Sequence, residues 1–344
     1  EYSDNTFLEE EDPKSEWMTI VSPTAAVNWT QPQGMLGVSY DGSYYMPARF
    51  GENRREEQEL GLQGSWDIHR SLTASLQSRW GWKAIPPASE TDKTENYRDN
   101  ITSAAMTYRP WEDWETQVAY NRYQASFQET AADEVTSDGL SARVSRRIFP
   151  AIWGEGTFNY QKIDNADLGF LNRDNDTYNA SAGFRFEPQG PLSGSVHASY
   201  IQKDYESSFI QDESGPSMDA EVTYALRETI DLFCTAERTL AETSVSARNI
   251  RAGQSYTRTS FSVGSSMEVT NRVNLRLVGF YNTDDYGGTQ SRKENLYGGS
   301  LSASYKLNPW ARARVRYRYQ RNDSNVPGAG FTENSVMVGM NLGF

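Results

Sequence analysis

The chain has 344 residues and a formal net charge of −13 at neutral pH; 37% of its residues are hydrophobic and 12% aromatic. Its mean hydropathy of −0.72 would suit a very soluble protein, and no stretch approaches the roughly 18 apolar residues of a membrane helix. The acidic balance disfavours nucleic acid as a partner, and one cysteine, Cys234, excludes an intrachain disulfide and a cysteine-based zinc cluster.

A period of two residues runs through the chain from Trp17 to Phe344. Segments of about 10 to 14 residues alternate apolar and polar side chains, and the breaks between them are alternately short and long. This rhythm predicts an all-β fold, a transmembrane antiparallel up-and-down β-barrel, whose mean hydropathy stays low because only one face of each strand is apolar. The predicted periplasmic turns are residues 30–33, 67–70, 109–113, 149–150, 188–191, 227–229, 269–272 and 308–310. The predicted extracellular loops are residues 48–55, 85–96, 128–134, 164–174, 205–214, 244–250, 284–291 and 323–330.

The start of the chain sets the strand count. If Phe344 lies on the periplasmic side, the alternation of strand directions makes the segment 17–28 run from the cell exterior towards the periplasm. An earlier strand must therefore cross the membrane outward, and residues 2–8, followed by the acidic loop 9–14, can form it. The count is then about 18 strands, an even number as in bacterial barrels, with 16 as the alternative. We expect one outer-membrane barrel domain over residues 1–344, from which a secretory signal has been removed.

Several strands carry a clean apolar stripe that is predicted to face lipid. In chain order the stripes are Leu72, Ala74, Leu76, Trp80 and Trp82; Tyr178, Ala180, Ala182, Phe184 and Phe186; Tyr297, Gly299, Leu301, Ala303 and Tyr305; Ala311, Ala313, Val315, Tyr317 and Tyr319; and Val336, Val338, Met340, Leu342 and Phe344. A C-terminal aromatic residue after alternating apolar ones resembles the signal by which bacterial outer-membrane barrels are recognised for assembly. Phe344 is therefore the predicted assembly signal, and the barrel-assembly machinery a predicted partner.

Two segments at the start of the chain resemble a known family. They are Glu1-Tyr2-Ser3-Asp4-Asn5-Thr6-Phe7 and Ser15-Glu16-Trp17-Met18-Thr19-Ile20-Val21-Ser22-Pro23. They are similar to the start of outer-membrane β-barrel porins found with bacterial exopolysaccharide gene clusters. Members commonly begin with a Tyr-x-Asp-Asn-x-Phe-like segment, an acidic loop and a strand carrying Val-Ser-Pro. The resemblance implies a conduit for a secreted polysaccharide that works with periplasmic export or synthesis components, and it supplies no catalytic residue.

The polar faces of the strands predict an arginine-lined lumen. The inward cations are Arg79, Lys83, Arg143, Arg147, Arg185, Arg276, Lys306, Arg312, Arg314, Arg316 and Arg318. The inward acids are fewer, namely Glu59, Glu155, Glu187, Asp219, Glu221 and Glu237. Such a lumen would concentrate anions, and its arginines could donate to glycan oxygens, as could inward serines such as Ser193, Ser195, Ser199, Ser300, Ser302 and Ser304. The alternative is that the arginines pair with lumen acids and brace a wide barrel.

Catalysis and metal binding have weaker support. Of the two histidines, His69 lies in a predicted turn and His197 in a strand, and neither lies beside a plausible serine nucleophile, so no enzyme is predicted. His197 is predicted to be a polar lumen residue. Loop oxygens could bind calcium, but their spacing matches no defined calcium loop, and a solvated acidic loop is predicted; they are Asp164, Asn165, Asp167, Asp174, Asn175 and Asp176, with Asp284 and Asp285 in the same class. No metal or cofactor is predicted.

Two functional hypotheses therefore share one fold. The first is a monomeric barrel in the Gram-negative outer membrane, surrounded by lipid and lipopolysaccharide, that passes an anionic or neutral exopolysaccharide from the periplasm to the cell exterior. The second is a general or anion-selective diffusion porin for small solutes. The short breaks favour the first, because classical porins narrow the pore with one long loop folded inside. A third hypothesis, a structural or adhesion barrel, requires a lumen filled with paired charges.

Overall fold

The computed structural model describes residues 1–10, 13–85, 95–127, 134–165, 173–187, 190–208, 210–242, 255–286 and 292–343. The chain forms a closed antiparallel barrel of 18 strands. Nineteen strand segments are numbered because one of the strands is broken in two. They are β1 (Tyr2–Ser3), β2 (Glu16–Val21), β3 (Thr24–Gln31), β4 (Gly34–Pro47), β5 (Arg55–His69), β6 (Leu72–Ile85), β7 (Glu95–Trp111), β8 (Trp114–Phe127), β9 (Val135–Phe149), β10 (Ile152–Asn165), β11 (Asn175–Phe186), β12 (Leu192–Tyr205), β13 (Glu213–Arg227), β14 (Ile230–Glu242), β15 (Ser255–Thr270), β16 (Val273–Tyr286), β17 (Arg292–Asn308), β18 (Ala311–Ser324) and β19 (Phe331–Leu342).

The order of the strands is that of an up-and-down barrel. From β4 to β19 each strand pairs antiparallel with its neighbours in the chain. β1 closes the ring, since Tyr2 lies opposite both Val336 of β19 and Trp17 of β2. The prediction of 18 strands is confirmed, and the alternative of 16 is wrong. A one-turn 3-10 helix, Gly51–Asn53, follows β4, and no helix in the described part of the chain is long and apolar enough to cross a membrane.

The broken strand is interrupted at Ser22 and Pro23. Proline lacks the N–H that a ladder requires, so the ladder of backbone hydrogen bonds is interrupted there. The register does not shift, because Val21 lies opposite Tyr44 and Thr24 lies opposite Asp41. The backbone N–H of Gly42 donates to the Pro23 carbonyl at 2.9 Å. The Val-Ser-Pro segment therefore lies within one continuous wall strand.

The first strand is shorter than the predicted segment 2–8, because side-chain hydrogen bonds replace the ladder after Ser3. The Asn5 side chain is nearly inaccessible, at 1% exposure. Its amide nitrogen donates to the carbonyls of Glu9 and Thr332 at 2.8 and 3.0 Å, and its amide oxygen accepts from the Glu9 N–H at 3.0 Å. This local capture turns the chain away from β19, as asparagine commonly does at turns.

The two segments that carry the family resemblance meet at this closure. Asp4 accepts hydrogen bonds from the backbone and side chain of Asn334 on β19 at 2.6 and 2.8 Å. Phe7 packs edge to face against Phe50 with ring centroids 5.3 Å apart. The buried Glu16 carboxylate accepts from the Phe50 N–H at 2.7 Å. We call residues 1–10 together with Glu16 the seam, because they join the two ends of the wall.

The apolar stripes are exposed, and aromatic residues lie near both of their ends. Exposed aromatic side chains lie close to the short turns, namely Trp29, Trp66, Trp111, Phe149 and Trp310. Toward the other ends of the strands, tyrosine hydroxyls donate to an aspartate or asparagine side chain on the neighbouring strand in the pairs Tyr120–Asp138, Tyr160–Asp176, Tyr281–Asn295, Tyr297–Asp323 and Tyr317–Asn334. Two such belts are typical of the two membrane interfaces of a barrel.

The barrel has few buried side chains. Among the described residues, the only side chains with less than 2% exposure are those of Asn5, Ser145 and Asn175. Barrels of 16 to 18 strands are too wide for side chains to fill and leave an aqueous channel. The wall is therefore a single layer with two accessible faces.

Candidate functional site

One face of the wall carries the predicted lumen residues. Side chains directly opposite each other on neighbouring strands lie on the same face, so the register can be followed strand by strand: Arg316 lies opposite Ser302, and Ser302 lies opposite Arg276. Followed in this way, all eleven predicted cations and the six predicted acids lie on one side of the sheet, here called the charged face.

On β5 to β11 the charged face is braced by ion pairs. The Lys83 ammonium lies 2.7 Å from Asp99, and Arg79 lies 3.7 Å from Glu59. Glu115 receives Arg109 at 2.8 Å and Arg143 at 3.3 Å. In this arc the alternative interpretation from the sequence, that arginines pair with acids, describes the contacts.

The tightest of these networks surrounds Glu155, whose side chain is only 3% exposed. Its carboxylate accepts from Arg185 at 2.8 Å, from Ser145 at 3.0 Å and from the Nε2 of His197 at 3.1 Å. The Nδ1 of His197 lies 3.0 Å from Asp219. His197 thus links two carboxylates across strands β10, β12 and β13, as suits the polar role predicted for it.

Aromatic rings support the same arc. The guanidinium groups of Arg147 and Arg185 lie 4.9 and 5.1 Å from the Trp153 ring. The Trp153 indole N–H donates to Glu187 at 2.6 Å. The cations of β9 and β11 are therefore held by both charge and stacking.

On β13 and β14 the charged face is acidic. Glu221, Asp231 and Glu237 form no ion pair with any described residue, and Asp219 has His197 as its partner. We call these four residues the acidic strip.

On β16 to β18 the part of the same face nearer the short turns is basic. Arg276, Lys306, Arg312, Arg314, Arg316 and Arg318 make neither an ion pair nor a side-chain hydrogen bond with any residue that the structure describes. We call these six residues the basic strip. They flank Ser300, Ser302 and Ser304 of β17, which lie opposite Arg318, Arg316 and Arg314.

Two arginines of the basic strip stack on phenylalanine rings. The Arg276 guanidinium lies 4.2 Å from the Phe233 ring, and that of Arg318 lies 5.5 Å from Phe280. Arg314 experiences the like charges of Arg276 and Arg316. Arg314 is thus repelled by two neighbouring arginines, and no described carboxylate pairs with any cation of the strip.

The sequence interpretation missed several acids of the charged face. Among them, Asp284 and Glu294 lie on β16 and β17 and form ion pairs with Arg258 and Arg292. Asp99, Glu115 and Asp231 lie near strand ends, where the phase of the alternation is hardest to assign, although each stands two residues from another inward position. Together they replace a uniform positive excess with separate paired, acidic and basic arcs.

The remaining sequence-predicted residues do not form a second site among the described residues. The predicted serines Ser193, Ser195 and Ser199 lie on the charged face, as does Asp284. His69 is at a turn, with its Nδ1 3.1 Å from the Ser71 hydroxyl, and Cys234 is half-buried on the apolar face opposite Val222. In the predicted acidic loop, Asp174 accepts from the Asn165 N–H at 2.6 Å, while Asp167 lies outside the described residues, as does Phe344. No group of three or more acidic, histidine or cysteine side chains suited to a metal occurs within the described ranges.

Comparison with known proteins identifies a family over the whole chain. The sequence profile of the family described as "Putative beta-barrel porin 2" matches residues 1–344. No curated protein sequence matches the chain.

Solved structures with the same fold are outer-membrane transporters. The unliganded ferric citrate transporter FecA superposes with a TM-score of 0.56 at 12% identity, covering 94% of this chain and 61% of that one. The FrpB iron transporter from Neisseria meningitidis (F5-1 variant) gives a TM-score of 0.58 at 10% identity, covering 91% and 63%. The chain thus spans about three fifths of the length of these structures. At these identities the likeness concerns the fold alone.

Proposed function

Because this chain belongs to the "Putative beta-barrel porin 2" family and is a multi-pass barrel of the outer membrane, we propose that it is a channel that passes a secreted exopolysaccharide from the periplasm to the cell exterior. The charged face lines its lumen, and the apolar face contacts lipid and lipopolysaccharide. The barrel acts as a monomer and without catalysis, after insertion by the barrel-assembly machinery. Periplasmic export or synthesis components deliver the glycan at the short turns.

The observation that carries this proposal is the wide wall with an accessible polar face. A barrel of 18 strands leaves room for an aqueous path, and the basic strip presents donors that no described side chain occupies. Arginine guanidinium and serine hydroxyl groups can both donate hydrogen bonds to the oxygens of a glycan.

The lengths of the connections support a conduit over a classical porin. No connection between consecutive strands is longer than the twelve residues that separate β1 from β2 and β14 from β15. Such segments are short for an internal constriction loop. The second candidate, an anion-selective diffusion porin for small solutes, is favoured by the same basic strip and differs in what occupies the pore.

Planar-bilayer recordings of the purified full chain separate the two functions. We expect open-channel current that falls when polysaccharides of the kinds found in bacterial exopolysaccharides are added to the periplasmic side. A polymer occupying the lumen displaces ions, so the degree of block should rise with chain length. Conductance that no polysaccharide alters would contradict export and leave the diffusion porin.

A further inference from the structure

We infer that the exported glycan is a polyanion bearing carboxylates, and that it moves along the basic strip of β16 to β18 rather than around the whole lumen. This inference rests on the proposed function and names the class of its cargo. It follows from where the described ion pairs are and where they are not.

The cations on β6 to β11 and those of the basic strip differ in whether a carboxylate pairs with them. The five cations predicted on β6 to β11 all have carboxylate partners, with distances from 2.7 Å for Lys83–Asp99 to 3.9 Å for Arg147–Glu187. Their charge is compensated locally. The basic strip has no such compensation from any described residue, so only there does an anionic ligand supply a partner that the protein itself does not.

The arrangement of cations in the basic strip is electrostatically unfavourable. Like charges placed side by side repel, and Arg314 lies within reach of the charges of both Arg276 and Arg316. Nothing in the strand pattern requires arginine at positions 314, 316 and 318 of β18, since serine fills the three positions opposite them on β17. A bound polyanion would relieve this repulsion.

The basic strip is extended along the direction of the strands. Alternate residues of a strand recur at about 6.7 Å, so the row from Arg312 to Arg318 extends over roughly 20 Å. Arg276 faces Arg316 across Ser302, two strand spacings or roughly 10 Å away. The small serines of β17 lie between Arg276 and this row and leave room beside the arginines. A linear polymer can engage several of these cations at once, which a single small anion cannot.

The guanidinium N–H groups of the basic strip are available to a ligand. Stacking against Phe233 orients the Arg276 guanidinium at 4.2 Å from the ring. A stacked guanidinium keeps the N–H groups at its edge free for a carboxylate. Weak contacts repeated along a row allow entry and also release, as conduction requires. The acidic strip on β13 and β14 repels a polyanion and confines it to the basic side.

The test uses blockade of the wild-type channel by size-matched oligomers of polygalacturonate and of neutral dextran. We expect polygalacturonate to block at lower concentration. In R314Q/R316Q the half-blocking concentration of polygalacturonate should rise about tenfold, the loss of two accessible charge contacts, whereas the block by dextran should change by less than about twofold.

The matched control is R79Q/R143Q, which removes the same two charges from the paired arc. Glu59 keeps Lys83 at 3.9 Å and Glu115 keeps Arg109 at 2.8 Å, so neither acid loses its last partner. This variant should retain nearly wild-type block. An equal loss in the control would overturn the assignment of the track to β16 to β18.

Two further outcomes overturn the polyanion. Galacturonate monomer that blocks as well as the polymer at equal carboxylate concentration would show a site for small anions. Dextran that blocks as well as polygalacturonate, with no effect of R314Q/R316Q, would leave export standing and remove the charge requirement. If neither glycan changed the current, the proposed function itself would fail.

Discussion

At the scale of single residues, the charged face contains arginines in two different environments that the sequence alone does not distinguish. The Arg185 guanidinium donates to the buried carboxylate of Glu155, whereas the Arg314 guanidinium contacts no described acid. For the first kind, removing one partner is costly because the other charge is left unpaired at low exposure. For the second kind, removal relieves repulsion. Neutralising an arginine should therefore lower the stability of the fold in the paired arc, whereas in the basic strip it should relieve repulsion and weaken transport.

Glu155→Gln tests the structural kind. The neutral side chain leaves Arg185 without its carboxylate and weakens the link to His197, so we expect the free energy of unfolding to fall by about 2 kcal/mol. Tryptophan fluorescence during urea unfolding in detergent micelles reports this, since Trp153 stacks on Arg185 in the same network. Glu59→Gln is the control, because Glu59 is more exposed and its two partners lie 3.7 and 3.9 Å away; it should cost less than about 1 kcal/mol. Equal losses in the two variants would refute the bracing role.

At the scale of elements, the strands and turns could be predicted because their causes are local. Seven of the eight predicted short breaks contain or adjoin a turn, such as the one between β17 and β18 at residues 309–310, and the break at 188–191 lies partly outside the described residues. Which charges meet could not be predicted, because Arg185 and Glu155 are 30 residues apart and meet only through the register of β10 on β11. The shortness of β1 was also hidden, since it depends on Asn5 bonding to Thr332 at the far end of the chain. The division into paired, acidic and basic arcs follows from such non-local pairing.

Asn5→Ala tests the seam. The substitution leaves the Glu9 N–H and the carbonyls of Glu9 and Thr332 without their partner at a site that is 1% exposed. Orphaned buried polar groups cost about 1 to 3 kcal/mol, and we expect a loss of about 2 kcal/mol in the free energy of unfolding. Asn28→Ala, at an exposed position of β3, should cost less than about 0.5 kcal/mol. Because the seam closes the ring, amide exchange at Tyr2 and Ser3 should also accelerate in Asn5→Ala. Unchanged exchange there would show that β1 does not depend on Asn5.

At the scale of the whole molecule, placement of charge matters more than its sum. The chain carries a net charge of −13, yet ions in a narrow aqueous path respond to the nearest uncompensated groups, because fields are screened within about 8 Å at physiological ionic strength. In the proposed lumen these groups are the acidic strip of β13 and β14 and the basic strip of β16 to β18. The two strips carry opposite charge and should shift ion selectivity in opposite directions. Because they lie on different strands, the residues of one strip can be substituted while those of the other stay unchanged.

Reversal potentials in a KCl gradient therefore make a paired prediction. Replacing Arg314 and Arg316 by glutamate should lower the preference for chloride over potassium, since it replaces two cations with two anions beside the permeating ions. Replacing Glu221 and Glu237 by glutamine should raise that preference, because the acidic strip loses two charges without a described ion-pair partner. Both shifts should shrink near 1 M salt, where the screening length is about 3 Å. Unchanged selectivity in the first variant would place the arginines of β18 against lipid instead of the lumen. Shifts of the same sign in both variants would show that the two strips do not line one common water path.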